Sequence, residues 1–215
     1  MPTESITTYE RILAAATAVF MEGGYRKATF REICRRAKAN TAAINYHFRD
    51  KDGLYREVLE RVIAESRTQR DQEALAQAAP AEQRLRGHVR RLLRGLLHTK
   101  DSTALLSFMS REIAEPTEGL DVMLEKVIRP FHRQLSQVVR ELIGPTASDQ
   151  QVFDCVQCIV GQCNHFRFAQ PVISRLGPYP NYDEASVEHL VEHIVRFSLG
   201  GLHAQIGAAE SAQGV

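Results

Sequence analysis

Apolar residues recur three and four positions apart along nearly all of this chain, and no run of alternating β-branched and polar residues is bounded by turn chemistry. The pattern predicts an all-α protein. A first helix spans roughly 8–22, with Ile12, Leu13, Ala16 and Phe20 on one face and Glu22-Gly23-Gly24-Tyr25 at its exit. Two short helices follow within 29–48. A fourth starts near Asp50, whose carboxylate can cap it, and carries Leu54, Val58, Leu59 and Val62 on one side toward Arg70. Residues 71–82 are Ala-rich and interrupted by Pro80, a boundary or helix break. Helical spacing resumes over 82–99 and 102–114, where Glu115-Pro116-Thr117 ends it. It returns over 119–143, with Pro130 either kinking the helix or starting a new one. After Gly144-Pro145-Thr146 come helices over 148–170 and 183–206, separated by the loop 177–182; residues 208–215 read as a disordered tail.

The segment Thr29 to Tyr55 is the most informative. Thr29 is a candidate N-cap, with Glu32 three residues later completing a capping box. Ile33 and Ala37 share one face of this helix, while Arg31, Arg35 and Arg36 point elsewhere. Lys38-Ala39 can form a turn, and Asn40 is a second N-cap. On the next helix Ile44 and Phe48 stand four apart, enough to pin it to a small core. Its opposite face carries Thr41, Ala42, Asn45 and Tyr46, small or polar residues free to meet a base edge. Thr29, Tyr46, His47 and Lys51 are the candidates for phosphate contacts, and Thr41, Ala42 and Asn45 for base contacts.

This region resembles the recognition region of TetR-family transcriptional repressors. The likeness rests on the Thr29 and Asn40 caps, the Tyr46-His47-Phe48 triplet, Lys51, and Gly53-Leu54. Asn45-Tyr46-His47-Phe48 is most similar to the CecR-like branch. That likeness continues through Arg111-Glu112 with Pro116-Thr117, Ile128-Arg129-Pro130 and Phe166-Arg167-Phe168-Ala169. Lys38 departs from the pattern, since the family usually carries glycine in this turn. The resemblance implies a three-helix helix-turn-helix DNA-binding domain over 1–56 and a helical effector-binding and dimerisation domain over 57–207. It also implies a homodimer formed by the last two long helices, a palindromic double-stranded operator, and release by a small organic effector.

Charge agrees with that division. Residues 1–56 hold ten Lys or Arg against six Asp or Glu, although the whole chain is nearly balanced, with 27 against 26. A positive head on a mildly acidic body suits a protein that meets phosphate at one end. No apolar stretch approaches the length of a membrane span, the N-terminus has no basic-plus-apolar leader, and the four cysteines lack secretory spacing. A reduced, cytoplasmic setting is expected.

Three other groups carry candidate chemistry. His189-Leu190-Val191-Glu192-His193 has the H-x-x-E-H order of inverted zinc proteases, but no third ligand stands at a suitable place, so no metal is expected. Cys155, Cys158 and Cys163 have metal or redox spacing, yet Cys163 points away from the face of the other two, and small buried hydrophobes are the expected role. Phe108, Met109, Glu112, Phe131, His132, Cys163, Phe166 and Arg167 would line an aromatic pocket if their helices surround one space. The alternative is a satisfied core in which Arg167 pairs with Glu112 or reaches outward. The family resemblance favours the pocket. No nucleophile, glycine-rich phosphate loop or carboxylate pair marks an enzyme, and no cofactor is expected. The competing reading is a helical small-molecule or metal-binding protein whose basic N-terminus does not read specific DNA.

Overall fold

In the computed structural model, residues 7–70, 79–97, 103–177 and 182–212 are described, without the side chains of 67–70, 103 and 207–212. Every regular element among them is helical: α1 (Thr8–Lys27), α2 (Phe30–Ala37), α3 (Thr41–Phe48), α4 (Lys51–Arg70), α5 (Ala81–Leu97), α6 (Thr103–Ala114), α7 (Glu118–Met123), α8 (Arg129–Ile143), α9 (Asp149–Phe168), α10 (Gln170–Leu176) and α11 (Glu184–Ala212). None of these helices is long and apolar enough to cross a membrane.

Contacts divide the chain into two units, Met1–Gln69 with Thr103–Ile128, and Arg70–Ser102 with Arg129–Val215. In the first, α6 and α7 bring Leu105, Phe108 and Met123 into the core formed by Ile12, Phe20, Ile33, Ile44, Leu54 and Leu59. The chain leaves α1 through Gly24, whose φ of 72° interrupts the helix between Thr8 and Lys27. Only glycine adopts that conformation at little cost.

Between α7 and α8, residues Leu124–Ile128 form a π-helical segment. Pro130 lies just beyond it, and its missing N–H breaks the ordinary hydrogen-bond ladder, so it starts a new helix at Arg129.

The second unit packs α5 against α8, α9 and α11. Its core contains Leu85, Val89 and Leu93 of α5, Leu135 and Val139 of α8, Val152, Val156, Ile159 and Cys163 of α9, and Val187, Leu190, Val191, Ile194 and Val195 of α11. Arg86 and Arg90 meet Glu192 and Glu188 through Nε at 2.7 and 2.9 Å, and Arg94 pairs with Glu184. Ile194 and Val195 of α11 are buried within their own chain, whereas Phe197 on the same helix is 67% exposed. On α9, Phe153 is exposed and Val152 is buried. At the C-terminus α11 continues to Ala212, past the predicted start of the tail at 208, and 213–215 lie outside the described residues. Parts of the predicted boundary at 71–82 and loop at 177–182 also lie outside them.

Candidate nucleic-acid interface

Helices α2 and α3 form as their caps dictate. The Thr29 hydroxyl accepts from the Glu32 N–H at 3.3 Å, and the Asn40 side-chain oxygen accepts from the Ala43 N–H at 2.9 Å. Between them Lys38 adopts φ 51° and ψ 47°, the left-handed conformation that ends α2. This explains why glycine suits the position: an L side chain there is strained by about 1 kcal/mol. Lys38→Gly is therefore expected to stabilise the protein by about that amount in urea unfolding, from both baselines. Arg11, which spacing did not single out, donates from Nε to the Ala37 carbonyl at 3.2 Å and holds the end of α2 against α1.

On α3, Ile44 and Phe48 are buried while Thr41, Ala42, Asn45, Tyr46 and His47 are exposed, Tyr46 by 85%. The helix is thus anchored on one side and open on the other. Tyr9 stacks on Phe48 with centroids 5.1 Å apart and meets the edge of His47 at 5.8 Å. Its hydroxyl donates to Glu57 at 2.7 Å, and this bond, followed by burial, pushes its pKa up to about 12. Asp50 caps α4 by accepting from the Gly53 N–H at 2.8 Å. Lys51, at the first position of α4, sits with Nζ 4.5 Å from the centre of the Tyr25 ring, and partial burial lowers its pKa. Tyr25 donates in turn to Asp52.

The basic cluster is less available than its composition implied. Arg35 and Arg36 both donate to Glu32, at 2.9 and 2.7 Å through Nε, and Arg36 also reaches Glu22 at 2.6 Å. The Arg35 and Arg36 hydrogen bonds lower the Glu32 pKa to about 2, so this clamp persists at neutral pH and is lost only as pH falls from the ordinary carboxylate range toward that value. Arg31, Lys38 and Arg49 are exposed and make no ion pair among the described residues.

The eight predicted effector residues fall in both units. In the first, Phe108 is buried edge-to-face on Tyr55 at 5.9 Å, and Met109 packs on the same core. Glu112, 2% exposed, accepts from the Tyr55 hydroxyl at 2.7 Å and from the Thr117 N–H and hydroxyl at 2.9 and 2.8 Å. Its oxygens are engaged there. In the second unit, the Phe131 ring meets His88 at 5.7 Å and the Arg91 guanidinium at 5.2 Å. His88 carried no sequence signal; burial, then Arg91 and Arg84, lower its pKa to about 4. His132 lies 3.3 Å from both Ser136 Oγ and Gln157 Nε2. Cys163 is fully buried, which pushes its thiol up to about 12, while Phe166 and Arg167 are half-buried.

Neither competing cluster assembles. His189 and His193 are exposed, and Glu192 is taken by Arg86. Among the described residues no three His, Cys, Asp or Glu are placed to hold a metal ion, and all four cysteines are free thiols.

Two short capped helices, a left-handed turn between them, and a second helix open on one face define a helix-turn-helix DNA-binding regulator. Residues 12–58 match the family model of bacterial regulatory proteins, tetR family, and residues 81–202 that of the C-terminal domain of the HTH-type transcriptional dual regulator CecR. CecR of Shigella flexneri is 31% identical over 188 residues, 83% of this chain and 84% of that protein. Two solved structures share the fold. A transcriptional regulator from Rhodococcus sp. Rha1 matches at 17% identity and TM-score 0.61, over 91% of this chain and 97% of its own. FadR of Bacillus subtilis matches at 14% identity and TM-score 0.59, over 90% of this chain and 98% of its own. The chain belongs to the TetR family of transcriptional regulators, in the CecR branch. Its relatives are regulators of transcription, not enzymes.

Proposed function

We propose that the protein is a repressor that binds a palindromic operator as a homodimer and is released by a small organic effector. Residues 1–56 read the DNA, and residues 57–207 bind the effector and dimerise. The observation that carries this reading is α3, with Ile44 and Phe48 buried and Thr41, Ala42, Asn45 and Tyr46 open. Thr41, Ala42 and Asn45 face base edges. Thr29, Tyr46, His47 and Lys51 rest on phosphate, and Asn40 sets the start of the reading helix. Release follows if the effector prefers a conformation whose two reading heads no longer match the operator. Support for the dimer comes from the outer faces of α9 and α11, where Gly161 and Phe168, and Phe197, Gly200, Gly201 and Ala204, are exposed. Two heads so joined require half-sites separated by whole helical turns, about 34–36 Å for one turn.

The test is titration of a palindrome from the upstream region of its own gene at several salt concentrations. Lys51→Ala should weaken binding to every sequence and reduce the log–log salt slope by about 0.9. Asn45→Ala should instead relax discrimination at one base position by about 1–3 kcal/mol. A change of sequence preference in the first variant and none in the second would reverse the two roles.

A further inference from the structure

Among the described residues of the second unit, most carboxylates have a partner. Glu184, Glu188 and Glu192 meet Arg94, Arg90 and Arg86; Glu141 meets Arg84, and Asp149 meets Arg140. Asp154 accepts from Gln150, and Asp183 accepts from the Ser186 N–H at the start of α11. Glu82 lies in the first turn of α5. Arg133 and Arg196 are exposed. Arg167 is different. It is half-buried, makes no hydrogen bond or ion pair among the described residues, and its Nε–H is cut off from solvent with no acceptor. Arg94 also has an orphaned Nε, but its terminal nitrogen is bonded to Glu184.

A guanidinium N–H shut off from water with no acceptor is costly, and that cost falls when an acceptor arrives. Its neighbours Cys163 and Phe166 on α9 supply none. Cys163, one turn earlier on α9, is fully buried and keeps its proton; Phe166, beside Arg167 in sequence, is half-buried and apolar. The other charged candidate, Glu112, would favour a cationic effector, but its oxygens are bonded to Tyr55 and Thr117.

We propose that Arg167 receives the anionic group of the effector, which is therefore a carboxylate with an apolar or aromatic body. This rests on the reading of the protein as an effector-responsive regulator and fixes the sign of the ligand. The probes are phenylpropionate, its neutral amide and phenylpropylamine, titrated calorimetrically into the full chain and into Arg167→Gln and Arg167→Lys. The wild type should prefer the carboxylate over the amide by about tenfold or more, the range of a hydrogen bond to a charged group, and reject the amine. Arg167→Gln should bind carboxylate and amide alike, its amide affinity showing that the site is folded, and Arg167→Lys should keep part of the preference. The proposal is overturned if the wild type binds all three equally, if it binds no carboxylate, or if Arg167→Gln keeps the full preference. Operator binding is measured separately. A carboxylate that binds through Arg167 but leaves the DNA complex intact upholds the anion site and removes the release step.

Discussion

Phe197→Asp should give a folded protein that sediments as a monomer and binds its operator about a thousandfold more weakly, the interval between specific and non-specific binding. Phe197 is 67% exposed on α11, so a charge there meets water within a single chain. In a dimer built on this face the same carboxylate would be buried without a partner, and the interface would not form. One reading head then has only half of a palindrome to hold. Ile194→Asp makes the contrast. Ile194 is 1% exposed inside its own unit, so this variant should unfold that unit rather than split a dimer. Ultracentrifugation and circular dichroism separate the two results. A dimeric Phe197→Asp that still binds the operator would move the interface to another face.

Glu112→Ala should cost about 3 kcal/mol in denaturant unfolding, because it leaves the buried Tyr55 hydroxyl and the half-buried Thr117 N–H and hydroxyl without their acceptor. Tyr55→Phe should cost less, about 1 kcal/mol, since Glu112 keeps Thr117. The double variant tests coupling: a shared interaction gives less than the sum of the single costs. Gly119 is part of the same arrangement. A Cβ added there would stand 2.6 Å from Tyr55 Cε1 and 2.9 Å from Leu59 Cδ1, so Gly119→Ala must displace the ring that Glu112 holds. Additive costs in the double variant would show that Tyr55 and Glu112 act independently.

The DNA-reading head was legible because its determinants are local. Both caps, the turn and the two buried residues of α3 lie within 20 residues, and each is recognisable by residue type and spacing. Lys38 showed even in its departure from glycine where the left-handed turn must fall. The body was less legible. Ile194 and Phe197 both fit a helical apolar pattern, and periodicity does not say which of two apolar faces turns toward its own chain. Glu112 belongs to Tyr55 across 57 residues of sequence, a pairing that no spacing rule reaches. The clamp of Glu32 on Arg35 and Arg36 was within reach, since the three lie at helical neighbour spacing. Counting charges without pairing them concealed it.

The ion pairs between α5 and α11 advance by four residues on each helix, Arg86 with Glu192, Arg90 with Glu188 and Arg94 with Glu184. A ladder with a constant step is degenerate. If one helix slid four residues along the other, about 6 Å, Arg90 would meet Glu192 and Arg94 would meet Glu188, and only one rung would be lost. Partly exposed rungs contribute little each, so they cannot hold the alignment by themselves. That task falls to side chains of unequal shape, Leu85, Val89 and Leu93 on α5 and Val187, Leu190, Val191 and Ile194 on α11, which fit poorly after a slide. Salt should accordingly loosen the helix pair without moving it. The rungs bring α11 to α5, and the apolar shapes decide where along it the helix stops.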